Sequence, residues 1–244
     1  MRRLGFFSGV RALLGGLGFI VTTPSAWGWS LIPMAVATTL FGGASALGIW
    51  GGSELALRLV GDPATRWGAV GIWALKLLFW AIGLVLAFVV AMSLAQPLSG
   101  FALDAVARKQ ELALGGRVWP EQPLLAGAFR SLRVSLTALA MGLPVLALLA
   151  LVTFLFPPAG VVTIPLKFVV TGLLAAYDLL DYPLSQHGHS VSDRIVFIRR
   201  HFPAVLGFGV ATAALLLVPG IGLFLLPFGV AGATRMVLEA ERGA

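Results

Sequence analysis

Cysteine is absent from this chain, which excludes a disulfide framework, a thiolate metal site and a cysteine nucleophile. Asparagine is absent too. Charge is thin: Asp, Glu, Lys and Arg make up 11% of the 244 residues, against about 25% in a soluble domain. No G-x-S-x-G, H-E-x-x-H or phosphate-binding loop occurs, so no enzyme class is indicated and no cofactor is expected. What fills the chain is apolar. Hydrophobic residues account for 59% of it and the mean hydropathy is +0.97. A soluble fold of this size has no interior large enough to hide such a surface. An integral membrane protein, with the lipid bilayer as its partner, is expected.

A formal net charge of +7 and a pI near 11.0 would suit nucleic acid, yet the basic residues fall in short clusters between apolar runs. Cytoplasmic loops require that distribution, and no nucleic-acid partner is expected. The start, with Arg2, Arg3 and Arg11, is basic. Gly-rich sequence follows without a small-residue cleavage site, so no removable signal peptide is expected.

Residues 1–29 read as an interfacial segment. Leu4, Phe7, Val10, Leu14 and Leu17 recur at helical spacing, which predicts an amphipathic helix in the headgroup plane. Residues 30–50 and 68–94 are apolar runs long enough to span roughly 30 Å of hydrocarbon. Trp27, Trp29 and Trp50 bracket the first, and Trp67, Trp73 and Trp80 lie near the start of the second, as interfacial aromatics do. Lys76, inside the second run, is expected to snorkel. A polar linker, 51–67, separates them. Residues 97–133 form a cytoplasmic helical region whose surface helix should start after Pro97 and stop at Gly115-Gly116. An apolar hairpin follows over 134–177, with FPPAG at its turn. Pro144 and Pro165 interrupt its arms, which leaves full spanning and partial insertion both open.

A polar connector, 178–203, leads into a last apolar stretch, 204–234, and a tail, 235–244. PGIG folds that stretch into arms of about 14 to 15 residues. At 1.5 Å per residue an arm reaches about 22 Å, short of the roughly 30 Å core. The arms should enter the bilayer, turn and leave on the side they came from. The N-terminus carries three Lys or Arg, 97–133 five, the connector three and the tail two, against two in 51–67. Both termini are therefore expected in the cytoplasm.

Arg194, Arg199, Arg200 and Arg235 flank the last hairpin. Guanidinium groups near a break in a membrane helix could recruit a divalent oxyanion by bidentate hydrogen bonds, or act as anchors paired with Asp181, Asp193 or Glu239. Arg194 and Arg199, five positions apart and near one face, are the candidate anion ligands. The helix after Pro219-Gly220 would point free N–H groups into the membrane towards an anion, with Gly220 and Gly222 permitting close approach. The same residues could simply permit the reversal. Asp178 and Asp181, at what reads as a helix end before Pro183, could couple ion or proton movement, or cap the helix, or pair with arginine. His187-x-His189, with His201, invites a metal reading, but the ligand count is short and no metal is expected. The spaced glycines of GFGVAT and FGVAGAT are packing positions.

Three stretches, LLDYPLSQHGHS leading to RIVFIRRH, then LGFG, then VPGIGLFLLP followed by GVAGAT, resemble the core of the CysZ-type sulfate permeases and the related etoposide-induced protein 2.4 family. SLAQPLSGFALDAV, and GFFSGVRALLGG with TPSAWGWSLIP, are similar as well, so the likeness covers nearly the whole chain. The resemblance implies an all-α integral membrane fold: two long transmembrane helices plus two helical hairpins, at least the last half-inserted, with an amphipathic N-terminal helix. It further implies a homo-oligomeric uptake protein of the bacterial inner membrane, a channel or permease for a sulfate-like oxyanion that supports sulfur assimilation. A non-transporting membrane-shaping or scaffold protein of the same family is the alternative. The sequence departs from the family pattern twice. Where sulfate-transporting members carry a Gly-Leu-Arg type motif, residues 24–29 read PSAWGW, and Gly222 stands where a polar side chain, often Asn, is expected.

Overall fold

The computed structural model describes residues 4–60, 66–117, 119, 124–218 and 221–243. Among them all regular structure is helical: α1 (Phe6–Thr22), α2 (Pro24–Val60), α3 (Arg66–Leu98), α4 (Gly100–Ala113), α5 (Leu124–Leu155), a 3-10 turn (Pro157–Ala159), α6 (Gly160–Gln186), α7 (Val191–Arg200), α8 (Phe202–Leu216) and α9 (Ile221–Arg242). Four stretches are long and apolar enough to cross a membrane: Pro24–Val60, Gly68–Leu98, Leu132–Leu155 and Pro157–Gln186. A fifth arises if α7 and α8, which meet at a bend of 91°, are taken as one broken span. The chain divides into two compact units, Met34–Leu98 and the remainder, Met1–Pro33 with Ser99–Ala244.

In the smaller unit, Gly48 of α2 faces Gly83 of α3 so closely that a Cβ on either would lie 3.1 Å from the other's Cα. Trp80 Nε1 donates to the Ile49 carbonyl at 3.1 Å and to Ser53 Oγ at 2.9 Å. Leu47, Trp50, Leu77 and Val85 face outward, as lipid contact requires. Lys76 Nζ lies 5.4 Å from the centroid of Trp73, within cation–π range. The polar linker expected from residue 51 begins later. Helix α2 runs on to Val60, with Glu54 and Arg58 paired one turn apart at 3.0 Å, an arrangement that supports a helix.

In the larger unit α1 packs chiefly on α8 and α9, α6 on α8 and α9, and α4 on α9. Leu13, Leu103, Leu180, Tyr182, Phe208 and Met236 fill the core. The crossings themselves are made by glycine. A Cβ on Gly9 would fall 1.9 Å from the Ala204 carbonyl oxygen, one on Gly16 2.3 Å from the Gly232 nitrogen, and one on Gly172 2.4 Å from the Gly209 oxygen. Gly207, Gly209 and Gly232 of GFGVAT and FGVAGAT are thus points of backbone contact, the way helices associate where no hydrophobic drive acts between them, while Gly229 makes room for the Leu179 side chain.

This packing gives α1 a second face that the spacing of its large residues did not show. Its inward face is Gly9, Ala12, Leu13, Gly16 and Ile20, while Phe7 is 78% exposed and Leu14 also points away. The helix is a packed member of the unit, with its small side chains turned inward. The reading of the prolines is corrected. Pro144 lies inside α5, and Pro165 and Pro183 lie inside α6. A helix in lipid tolerates them because no water competes for its remaining hydrogen bonds. Asp178 and Asp181 consequently sit within α6, and the connector shrinks to 187–190 before α7 starts. Helix α8, of 15 residues, is about 22 Å long. Helix α9 continues past Thr234 to Arg242, its last turns carrying an Arg235–Glu239 pair at 3.0 Å.

The turn between α5 and α6 is bare of charge: Phe154, Leu155, Phe156, Val161 and Val162 are all exposed there.

Gly172→Val is expected to push α6 off α8, costing about 1–3 kcal/mol of overpacking and lowering the melting temperature in detergent by several degrees. Gly18→Ala, at a position with nothing within 4 Å, should leave it unchanged.

Candidate functional site

A capping box fixes the start of α7: Asp193 N donates to Ser190 Oγ at 3.3 Å and Ser190 N donates to Asp193 Oδ2 at 2.9 Å. The next residue, Arg194, then turns inward and is 6% exposed. Its guanidinium pairs with Asp181 of α6. Arg194 Nη2 donates to Ser185 Oγ at 2.7 Å, and Ser185 Oγ donates to Asp181 Oδ1 at 2.9 Å. Three buried side chains close a triangle that holds α7 to the end of α6. Arg199 does not join it. Five positions around a helix are roughly 140° apart, and Arg199 is exposed with Arg200 in the last turn of α7, beside the 91° bend. The expectation that Arg194 and Arg199 share a face is therefore corrected by helix geometry.

Asp178 lies one turn before Asp181 in α6, with its Oδ1 buried and without a hydrogen-bond partner among the described residues. Gly222 lies in the first turn of α9. Gly220 falls outside the described residues.

Lys167 escaped the sequence reading. Its Nζ donates to Thr153 Oγ1 across the α5–α6 turn at 2.9 Å. Thr153 Oγ1 donates its single proton to the Leu149 carbonyl at 2.7 Å and lies 2.6 Å from Thr163 Oγ1. The proton between the two hydroxyls must therefore come from Thr163. Thr153 accepts from both neighbours and is saturated. An ammonium has three donors; one is satisfied here, and Lys167 makes no ion pair among the described residues. Thr153 follows Arg133 by 20 residues, about 30 Å along a helix. The cluster therefore stands near the tip of the hairpin. The signal available in sequence was a lone lysine in VVTIPLKFVV with a threonine one turn before it.

A second polar cluster lies at the opposite end of α6. His187 Nδ1 is 2.7 Å from Glu241 Oε1, and His187 Nε2 is 3.0 Å from Glu111 Oε2. Burial works against charge on this imidazole, but its hydrogen bonds to the Glu111 and Glu241 carboxylates outweigh it and raise its pKa above the usual value. Among the described residues, His187, His189 and Glu241 are spaced so that they could hold a metal ion.

The sequence profile of the family described as Sulfate transporter CysZ/Etoposide-induced protein 2.4 matches residues 12–227. The chain is 31% identical over 177 residues to the sulfate transporter CysZ of Pseudomonas paraeruginosa, covering 70% of this chain and 69% of that protein. It is 29% identical over 184 residues to that of Pectobacterium atrosepticum, covering 72% and 64%. Over 237 residues it is 26% identical to that of Salmonella typhi, covering 91% and 89%.

Asp181→Asn would leave the Arg194 charge buried without its partner, and is expected to cost about 3–5 kcal/mol, read as loss of monodisperse protein in detergent. Asp181→Leu combined with Arg194→Met should recover most of that loss.

Proposed function

We propose that this chain, which belongs to the Sulfate transporter CysZ/Etoposide-induced protein 2.4 family, passes a sulfate-like oxyanion across the bacterial inner membrane. It does so as a homo-oligomeric channel or permease that supplies sulfur for assimilation, with both termini in the cytoplasm. The observation that carries this reading is the Lys167 ammonium, held by Thr153 near the tip of an apolar hairpin and without a carboxylate partner among the described residues. An ionisable side chain within a membrane hairpin is rare and is by default a functional candidate. Its two remaining N–H groups suit an oxyanion that has lost part of its hydration.

From the side opposite the basic segments, an anion would meet Lys167 first. Arg199, exposed beside the α7–α8 corner, would receive it on the cytoplasmic side, together with the backbone N–H groups in the first turn of α9, which contains Gly222. Arg194, already engaged by Asp181, holds the frame. Asp178, with its unpartnered Oδ1, would take up a proton if transport is coupled.

Radiolabelled sulfate uptake into proteoliposomes tests this. Protein-dependent flux is expected, with selenate and molybdate competing. Lys167→Met should lower the flux on the order of tenfold or more, equivalent to about 1.4 kcal/mol, and Lys167→Arg should retain part of it. Absence of flux for every oxyanion, accompanied by altered vesicle curvature, would favour a membrane-shaping role. Undiminished flux in Lys167→Met would remove the lysine from the pathway.

A further inference from the structure

We propose that the loop closing α6 and the last turn of α9 together form a binding site for a zinc-class divalent metal ion, ligated by His187, His189 and Glu241. His187 Nδ1 and His189 Nε2 lie 2.7 Å and 3.9 Å from the same oxygen, Glu241 Oε1. One donor atom from each residue falls within 4.8 Å of the others. Around a tetrahedral ion with bonds of about 2.0–2.1 Å, neighbouring ligand atoms stand roughly 3.3 Å apart. The three atoms therefore need only small shifts, and Glu241, half-exposed at the end of its helix, is free to make them. Gly188 between the histidines has φ 75°, a left-handed conformation that glycine adopts without strain. This turn brings both imidazoles together, with ring centroids 6.4 Å apart.

An independent observation is the support behind His187. Glu111 of α4, 1% exposed, faces His187 Nε2 at 3.0 Å. The second oxygen of Glu111 accepts from Trp119 Nε1 at 2.7 Å, and the Trp119 ring stacks on the imidazole at 4.7 Å. A buried carboxylate behind a histidine is the arrangement that fixes a metal-ligating imidazole: it keeps the proton on one nitrogen and turns the other lone pair to the ion. Here the fixed proton is on Nε2 and the free lone pair is on Nδ1, towards Glu241 and His189. The adjoining cavity, about 440 Å³ and lined also by Arg117 and Arg242, has room for a water ligand in the fourth position. Zinc suits a set of two imidazoles and one carboxylate, and no thiolate competes in this chain.

The ion would tie α4, the 187–190 loop and α9 together, far along α6 from Lys167, so metal binding and anion flux are separable. The test is calorimetric titration of zinc into the tag-free full-length protein in detergent, with cobalt absorption as a report on coordination. One ion per chain is expected. Glu111→Gln should weaken binding by roughly 10–100-fold, and His189→Ala, at a half-exposed loop position, should weaken it at least as much while the protein stays monodisperse. His201 is buried against Phe197 and serves as the control, with binding unchanged in His201→Gln. Absence of a zinc heat, or binding that persists undiminished in His189→Ala with Glu241→Gln, overturns the proposal.

Discussion

Where α1 crosses α8 and α9, and where α6 crosses α8, main chain lies against main chain. Gly9, Gly16, Gly172, Gly209 and Gly232 leave no space for even a methyl group. In water a helix gains by turning its largest apolar side chains inward. In hydrocarbon that gain vanishes, because the medium is as apolar as the interior, and close van der Waals contact decides instead. Small residues therefore sit at the crossings, where Phe7 and Leu14 face out, and large ones such as Phe208 and Met236 fill the spaces between them. The positions of the buried polar groups follow from that frame.

The same principle sets how far the fold was readable from sequence. Composition alone placed the chain in a membrane, and the apolar runs marked where helices lie. Helix ends were harder. Pro144, Pro165 and Pro183 read as interruptions by rules drawn from aqueous helices, yet each lies within a continuous helix. The spacing of the large residues of α1 marked its outward face, but nothing local showed that Gly9 and Gly16 press against α8 and α9. Asp181 and Arg194 were recognised as possible partners, since both stand in one short segment. The Lys167 cluster was not, because Thr153 lies 14 residues away across a turn. His187 and His189 were visible as a pair, but Glu111 and Glu241 stand 76 and 54 residues from His187. No local pattern could supply them.

Two cations inside the larger unit meet different fates. Arg194 lies against Asp181, with Ser185 bridging both, so its charge is cancelled locally and its geometry is fixed. Lys167 donates to a hydroxyl that its contact completes, and that offers it nothing further. A guanidinium in a closed triangle is a fastening between helices. An ammonium with spare donors is a group whose charge is left to act on something that arrives.

The bare turn between α5 and α6 bears on how the protein is made. Phe154, Leu155, Phe156, Val161 and Val162 crown a hairpin with no charged or amide side chain at its tip. Released into the cytosol, such a crown would bind the first apolar surface it met, another nascent chain included. The segment from Leu124 to Gln186 therefore has no aqueous waiting state. It depends on delivery to the insertion machinery while the ribosome is still attached, and the timing of that hand-over governs the yield of folded protein.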